Sequence, residues 1–135
     1  MSKNNNTLTV DYKTIETRAI ASPALWGPAF WFTLHNSAAQ YPVKPSEFYQ
    51  EKMKNFILGL SVMVPCEKCA IHAASYISIH QNELDNIVKT RLTLFDFFAE
   101  FHNFVNERTG KETIALEDIR QKYMNPTKVE FITHY

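Results

Sequence analysis

The two cysteines of the chain, Cys66 and Cys69, form the pair Cys66-Glu67-Lys68-Cys69. At the start of a helix this spacing brings two sulfur atoms within bonding distance, and the helix N-terminus and Lys68 favour the thiolate that thiol chemistry requires. The pair therefore predicts a redox-active disulfide. Two reduced, buried thiols are the plainer alternative, because free cysteine is among the most often buried residue types.

A metal site is a further alternative, because His72 and His80 follow the cysteine pair. Zinc takes four tetrahedral ligands, however, and all four residues fall on one predicted helix, which cannot easily wrap around an ion. Haem attachment through Cys-x-x-Cys-His is excluded by Ala70. A thioredoxin fold is disfavoured, because the segment before Cys66 has a helical rather than a strand pattern. We therefore expect no metal.

A second group of polar side chains, His102, Asn103 and Asn106, interrupts a strongly apolar segment. His102 and Asn106 are one helical turn apart and share a face, with Asn103 beside them. Buried polar groups need hydrogen-bond partners, which here are either backbone carbonyls and water or a polar ligand that carries a ring. Because the group is predicted to face Trp31 and His35, and bundle cores often hold cofactors, the pattern favours a ligand.

The elements that position these residues are all predicted to be helices. The pattern predicts helices from Ser22 to Tyr41, from Pro45 to about Val64, from Pro65 to about His80, from Thr93 to Thr109 and from Leu116 to Tyr123. Thr93 and Asp96 are similar to a capping box, and Gly110 is placed to end the fourth helix. Gly59 lies inside a helical pattern, which predicts close packing there. The fold class is therefore all-α, a four-helix bundle with a short fifth helix.

Composition limits the possible functions. A chain of 135 residues with 45% hydrophobic side chains suits one folded domain, which we place at residues 21–126, between a flexible arm at 1–20 and a tail at 127–135. Its 14 Lys and Arg balance 14 Asp and Glu, so nucleic-acid binding is not expected. No apolar run approaches the about 18 residues of a membrane span, and no secretory signal opens the chain. We therefore expect a cytoplasmic protein.

Oligomeric state is predicted from the apolar surface of the first and fourth helices. Both helices carry more large apolar side chains than one packing face can hide, and a bundle of this size is expected to leave one side uncovered. A homodimer is the commonest way to bury such a patch. The side chains concerned are Trp26, Phe30, Phe32, Leu34, Leu94, Phe95, Phe97, Phe98, Phe101 and Phe104.

Three segments, in this order, resemble the Erv/ALR family of FAD-linked sulfhydryl oxidases, and most of all its small members from large DNA viruses. The segments are Trp26–His35 followed by Gln40-Tyr41-Pro42, Val64–Cys69, and His102–Asn106 with Gly110-Lys111. The resemblance covers about residues 25 to 112. It implies a helical bundle that binds FAD between its helices, usually as a homodimer, and that oxidises thiols with molecular oxygen.

The resemblance also implies residue roles. By position, Cys66 and Cys69 would be catalytic, with electrons passing from substrate dithiols through this pair to FAD and then to O2, which gives H2O2. The residues implied to contact FAD are Gly27, Trp31, His35, His72, His102, Asn103, Asn106 and Lys111.

The implied partner is a protein dithiol substrate or a thioredoxin-like relay protein, because the chain has no second cysteine pair. If the source is viral, the reaction would take place in the host cytoplasm and the virion. The rival interpretation is a non-catalytic helical interaction module, with or without a stabilising zinc ion.

Overall fold

The computed structural model describes residues 22–125, and every regular element in this part of the chain is helical. The helices are α1 (Pro23–Gln40), α2 (Glu47–Gly59), α3 (Glu67–His80), α4 (Leu84–Ile87), α5 (Arg91–Arg108) and α6 (Leu116–Tyr123). Two short 3-10 turns, Leu60–Met63 and Gln81–Glu83, follow α2 and α3. The all-α class with four long helices and a short helix near the end is confirmed. The predicted arm at 1–20 and tail at 127–135 lie outside the described residues.

The start of α5 differs from the prediction by one turn. The Thr90 hydroxyl accepts a hydrogen bond from the Thr93 N–H at 3.1 Å, and the Thr93 hydroxyl accepts one from the Thr90 N–H at 3.2 Å. This reciprocal capping box places Thr90 at the cap and Thr93 in the third helical position. The predicted cap of Thr93 with Asp96 is therefore wrong, and Asp96 is free for another contact.

Two glycines lie at helix ends, for different reasons. Gly110 has a φ of 73°, in the left-handed region, and confirms the predicted end of α5. The turn lets the Lys111 N–H bond the Asn106 carbonyl at 2.8 Å, which directs Lys111 back toward α5. Gly59 is exposed at the last position of α2, and an added Cβ would meet nothing within 4 Å. The close packing predicted at Gly59 is therefore wrong.

Helix α5 forms the centre of the core. It contacts α1, α3, α4 and α6. Its apolar side chains Leu94, Phe95, Phe97, Phe98 and Phe101 are buried within the single chain. The prediction that α5 leaves an uncovered apolar side is therefore wrong, because helices on several sides share its surface. On α1, Phe32 is 38% exposed while Leu34 is buried.

Two polar contacts attach α6 and the loop before it to α5. The Arg120 guanidinium donates to both carboxylate oxygens of Asp96, with Nε–Oδ1 at 3.0 Å and Nη2–Oδ2 at 2.6 Å, a bidentate pair that fixes orientation as well as distance. The Asn103 amide donates to the Ile114 carbonyl at 2.7 Å and accepts from the Ile114 N–H at 2.9 Å. These contacts hold the loop before α6, and α6 itself, against the bundle. None of the described helices is long and apolar enough to span a membrane.

Candidate active site

The cysteine pair spans the start of α3. Cys66 is extended, with φ −116° and ψ 126°, and its Sγ accepts a hydrogen bond from the Cys69 N–H at 3.3 Å. The helix begins at Glu67, two residues after the predicted Pro65, because Cys66 itself occupies the capping position. The two cysteines therefore lie on either side of the first helical turn, where thiol chemistry gains access to free backbone N–H groups.

A cleft of about 400 Å³ lies beside Cys69, between α1, α3, α5 and the end of α6. Cys69 lines it, whereas Cys66 does not. The cleft brings together most of the residues that the sequence assigned to a cofactor: Gly27, Trp31, His72, His102, Asn106 and Lys111. The two cysteines therefore have different surroundings, and of the two only Cys69 lines the cleft.

The acidity of Cys69 differs from the expectation. Burial, followed by the hydrogen bond and the charge of Cys66, raises the pKa of the Cys69 thiol to about 12, while a backbone hydrogen bond and Lys68 lower it by less. Lys68 and the backbone at the helix start therefore act on Cys69 in the expected direction, but they do not give it a low pKa in the reduced pair. Desolvation of the charged form exceeds both effects.

Two histidines, His35 and His102, are joined across the interface of α1 and α5. The Nε2 atom of His35 lies 2.9 Å from Nδ1 of His102. The indole ring of Trp31 stacks on His102, with centroids 4.2 Å apart and planes 5° apart. His35 is 1% exposed and lies behind His102 rather than in the lining of the cleft.

Both histidines are neutral at physiological pH. Burial, followed by the effects of His102 and Lys122, lowers the pKa of His35 to about 4. Burial also lowers the pKa of His102 to about 4, together with the nearby charges of Lys111 and Lys122. The pair therefore acts as a hydrogen-bonding group rather than as a cation.

Asn103 is placed differently from its predicted neighbours. Its side-chain amide is occupied by both backbone groups of Ile114, and the residue is not in the lining of the cleft. Its predicted contact with a cofactor stays a prediction. In this structure it holds the loop that connects α5 to α6.

Helix α6 contributes two residues that the sequence did not indicate, Lys122 and Tyr123. The Tyr123 ring lies 4.9 Å from His35, and Lys122 is close enough to lower the pKa of both histidines. The helix itself could be predicted from its periodicity. The ion pair of Arg120 with Asp96, which brings α6 to the cleft, joins residues distant in sequence and gave no local signal.

The lining of the cleft fits a planar molecule that carries phosphate. Gly27 lines the cleft, and an added Cβ there would meet no protein atom within 4 Å, so α1 leaves open space on this side. Trp31 and His102 present aromatic rings, which suit stacking. Lys111 and Lys122 bring positive charge for an anion.

The histidines of α3 do not form a metal site with the cysteines. His72 lines the cleft, and burial lowers its pKa, with Arg108 and Lys68 contributing. His80 lies at the opposite end of α3 and bonds Glu83 at 2.8 Å. Between residues 22 and 125, no three His, Cys, Asp or Glu residues are arranged to hold a metal ion.

Fold and site together define a class: helical-bundle redox proteins in which one cysteine of a Cys-x-x-Cys pair faces a cleft suited to a planar, phosphate-bearing cofactor. The chain belongs to the Erv1/Alr family, whose family model matches residues 28–124. The family resemblance found in the sequence is thereby confirmed.

Similar proteins include enzymes of large DNA viruses. Over 104 residues, the chain is 44% identical to "Putative FAD-linked sulfhydryl oxidase 096R" of Invertebrate iridescent virus 3, which covers 77% of this chain and 69% of the relative. It is 32% identical over 98 residues to the FAD-linked sulfhydryl oxidase of African swine fever virus (isolate Tick/Malawi/Lil 20-1/1983), covering 73% of this chain and 79% of the relative.

A solved structure supports the fold assignment. The crystal structure of the FAD binding domain of Erv1 from Saccharomyces cerevisiae superposes with a TM-score of 0.66 at 28% identity. The match covers 73% of this chain and 90% of that domain.

Proposed function

We propose that this chain is an FAD-linked sulfhydryl oxidase that forms disulfides in protein substrates through Cys66 and Cys69. The observation that carries the proposal is that Cys69 lines the aromatic, lysine-bearing cleft while Cys66 lies outside its lining. Family membership and the names of the relatives support both the FAD linkage and the thiol oxidase activity.

The two cysteines have different tasks in the proposed reaction. A substrate thiolate attacks Sγ of Cys66 in the Cys66–Cys69 disulfide, which forms a mixed disulfide and releases Cys69 with the electron pair of the broken bond. The second substrate thiolate then attacks the substrate sulfur of the mixed disulfide. Substrate disulfide is released, Cys66 leaves as a thiolate, and the protein now holds the two electrons as a reduced pair.

The cleft residues would hold FAD beside Cys69. The rings of Trp31 and His102 offer stacking faces, and Lys111 and Lys122 offer charges for the phosphates. The absence of a side chain at the buried Gly27 leaves room on α1. A bound FAD would supply the acceptor for the two electrons of the reduced pair, and O2 would be the final acceptor, reduced with two protons to H2O2. Asn106, which is 7% exposed and lines the cleft, adds a polar contact.

The purified protein tests the proposal directly. A yellow protein that releases FAD on denaturation is expected, and its flavin should be bleached anaerobically by a dithiol substrate and recover in air. Cys66→Ser and Cys69→Ser are matched variants that should both keep the flavin. A colourless protein that unfolds when a chelator is added would instead support the zinc-stabilised interaction module.

The same variants separate the roles of the two sulfur atoms. Cys66→Ser should abolish oxidation of protein thiols, because the sulfur that accepts the substrate is gone. Cys69→Ser cannot form the internal disulfide, so its Cys66 thiolate takes up a partner by attacking the disulfide of an oxidised substrate, and one substrate sulfur leaves as a thiolate. Mass spectrometry of this mixed disulfide identifies a protein substrate or a thioredoxin-like relay. Full activity of Cys66→Ser on protein thiols would contradict the assignment.

The proposal includes a homodimer that works in the cytoplasm. Exposed apolar side chains on α1 and α2, among them Leu25, Phe32 and Phe56, support an association surface. Light scattering should give twice the 15.7 kDa mass of one chain. A monomer at micromolar concentration would contradict the dimer.

In a cytosol that keeps thiols reduced, such an enzyme would provide disulfides locally, and fractionation of infected or expressing cells tests this location.

A further inference from the structure

The hydrogen bond between His35 and His102 determines what His102 offers to the cleft. A neutral imidazole carries hydrogen on one ring nitrogen and a lone pair on the other, so one of the two rings donates and the other accepts. The bonded atoms are Nε2 of His35 and Nδ1 of His102, 2.9 Å apart. The remaining nitrogen of His35, Nδ1, is buried and has no hydrogen-bond partner among residues 22–125.

The unpartnered Nδ1 atom of His35 selects the direction of this bond. If His102 were the donor, His35 would carry its hydrogen on Nδ1, where a buried N–H would point at no acceptor. Orphaned buried N–H groups are rare, and an unsatisfied buried polar group costs about 1–3 kcal/mol. If His35 is the donor, its Nδ1 atom carries only a lone pair. Leaving a lone pair without a partner costs less free energy than leaving a buried N–H group without one.

We infer that His35 is a positioning residue that fixes His102 in the Nε2–H tautomer, so that His102 presents a hydrogen-bond donor to the molecule in the cleft. No described residue bonds Nε2 of His102. If this atom were also buried, it would be a buried atom without a partner, but in the described part of the chain the only such side-chain atoms are His35 Nδ1 and Ser61 Oγ. The Nε2 atom of His102 is therefore accessible, and it belongs to a ring in the lining of the cleft.

The consequence is a preference for an acceptor on the ligand. Because the Nε2–H group of His102 donates, the ligand atom beside it must accept, as an unprotonated ring nitrogen or an oxygen does. Lys111 and Lys122, which also line the cleft, likewise carry only donors. The assignment of that ligand as FAD depends on the proposed function. The tautomer of His102 does not, since it follows from the contacts of His35 alone.

Nitrogen NMR of the full chain as purified tests the inference. Two-bond nitrogen–proton correlations distinguish a protonated from a bare ring nitrogen. The wild type is expected to show the proton of His102 on Nε2. His35→Gln keeps an amide N–H that can donate to His102 and should keep this pattern, whereas His35→Phe removes the donor and should give a mixture of tautomers. His80→Gln, on the far end of α3, is the matched control and should leave His102 unchanged.

The cofactor provides a second measurement. With the loss of one hydrogen bond, His35→Phe should bind FAD about twofold to tenfold more weakly, and His35→Gln should restore most of the affinity. A proton on Nδ1 of His102 in the wild type, or an unchanged tautomer in a folded His35→Phe variant, would overturn the inference. A protein that shows the expected tautomer but carries no flavin would contradict the proposed function and leave the inference standing.

Discussion

Acid should destabilise this protein through His35, and a substitution that cannot be protonated should remove the effect. His35 is 1% exposed, and burial, followed by His102 and Lys122, lowers its pKa from 6.5 to about 4. The unfolded chain therefore binds a proton more readily than the folded chain. Because the folded pKa of this base is depressed, its contribution to stability is fully present above the unfolded pKa and is lost as the pH falls toward the folded pKa.

The size of the effect follows from the two pKa values. At about 1.36 kcal/mol per pKa unit, the complete contribution of His35 is about 3 kcal/mol, and about 2 kcal/mol of it disappears between about pH 7 and about pH 4.5. The pKa of His102 is lowered in the same way, but His102 is present in all the proteins compared below, so the comparison isolates the contribution of His35.

The assay is urea unfolding at both pH values for the wild type, His35→Gln and the control His80→Gln, followed by tryptophan fluorescence. The wild type and the control should each lose about 2 kcal/mol more than His35→Gln on acidification. All other charged groups are the same in the wild type and in His35→Gln, so their contributions cancel in this comparison. Equal losses in the wild type and in His35→Gln would show that His35 titrates normally in the fold and would refute the reasoning.

Three further substitutions test how the cleft is built. Asp96→Asn removes the charge opposite Arg120 and should cost about 1 kcal/mol in urea unfolding, with weaker flavin retention because Lys122 is on the same helix. Gly27→Ala should stabilise α1 by about 0.5–1 kcal/mol in urea without added flavin, yet lower the flavin absorbance per chain, since its Cβ projects into open space of the cleft. Gly110→Ala should cost about 1 kcal/mol, seen in thermal melts, because φ at this turn is 73°.

The helices that could be predicted are those with strong local signals. Apolar periodicity predicted α6 with its observed bounds. Gly110 predicted the end of α5 because helices often end at a residue in the left-handed conformation, which glycine adopts most easily. Helix α4 was not predicted, since four residues are too short for a periodic pattern. Two threonines three positions apart are equivalent in sequence as caps, and only the hydrogen bonds distinguish Thr90 from Thr93.

The site could be predicted where its residues share a helix and not where it depends on contacts between helices. The spacing of His102 and Asn106 placed both in the cleft, as α5 is continuous there. The same spacing did not reveal that Asn103 turns to Ile114, or that His35 lies behind His102. These positions are set by the path of the chain after α5 and by the approach of α1, neither of which has a local sequence signal.

The raised pKa of Cys69 has opposite effects on the two exchange steps of the proposed reaction. In the first step Cys69 is the leaving group, and a thiol with a pKa of about 12 leaves slowly. In the second step the mixed disulfide at Cys66 can be attacked by the other substrate thiolate, which completes the oxidation, or by Cys69, which returns the substrate unchanged. Burial is the largest cause of the raised pKa in the reduced pair, and we expect it to act in the mixed disulfide as well and to keep Cys69 protonated near neutral pH. The burial that slows the first step therefore also suppresses the return of substrate in the second.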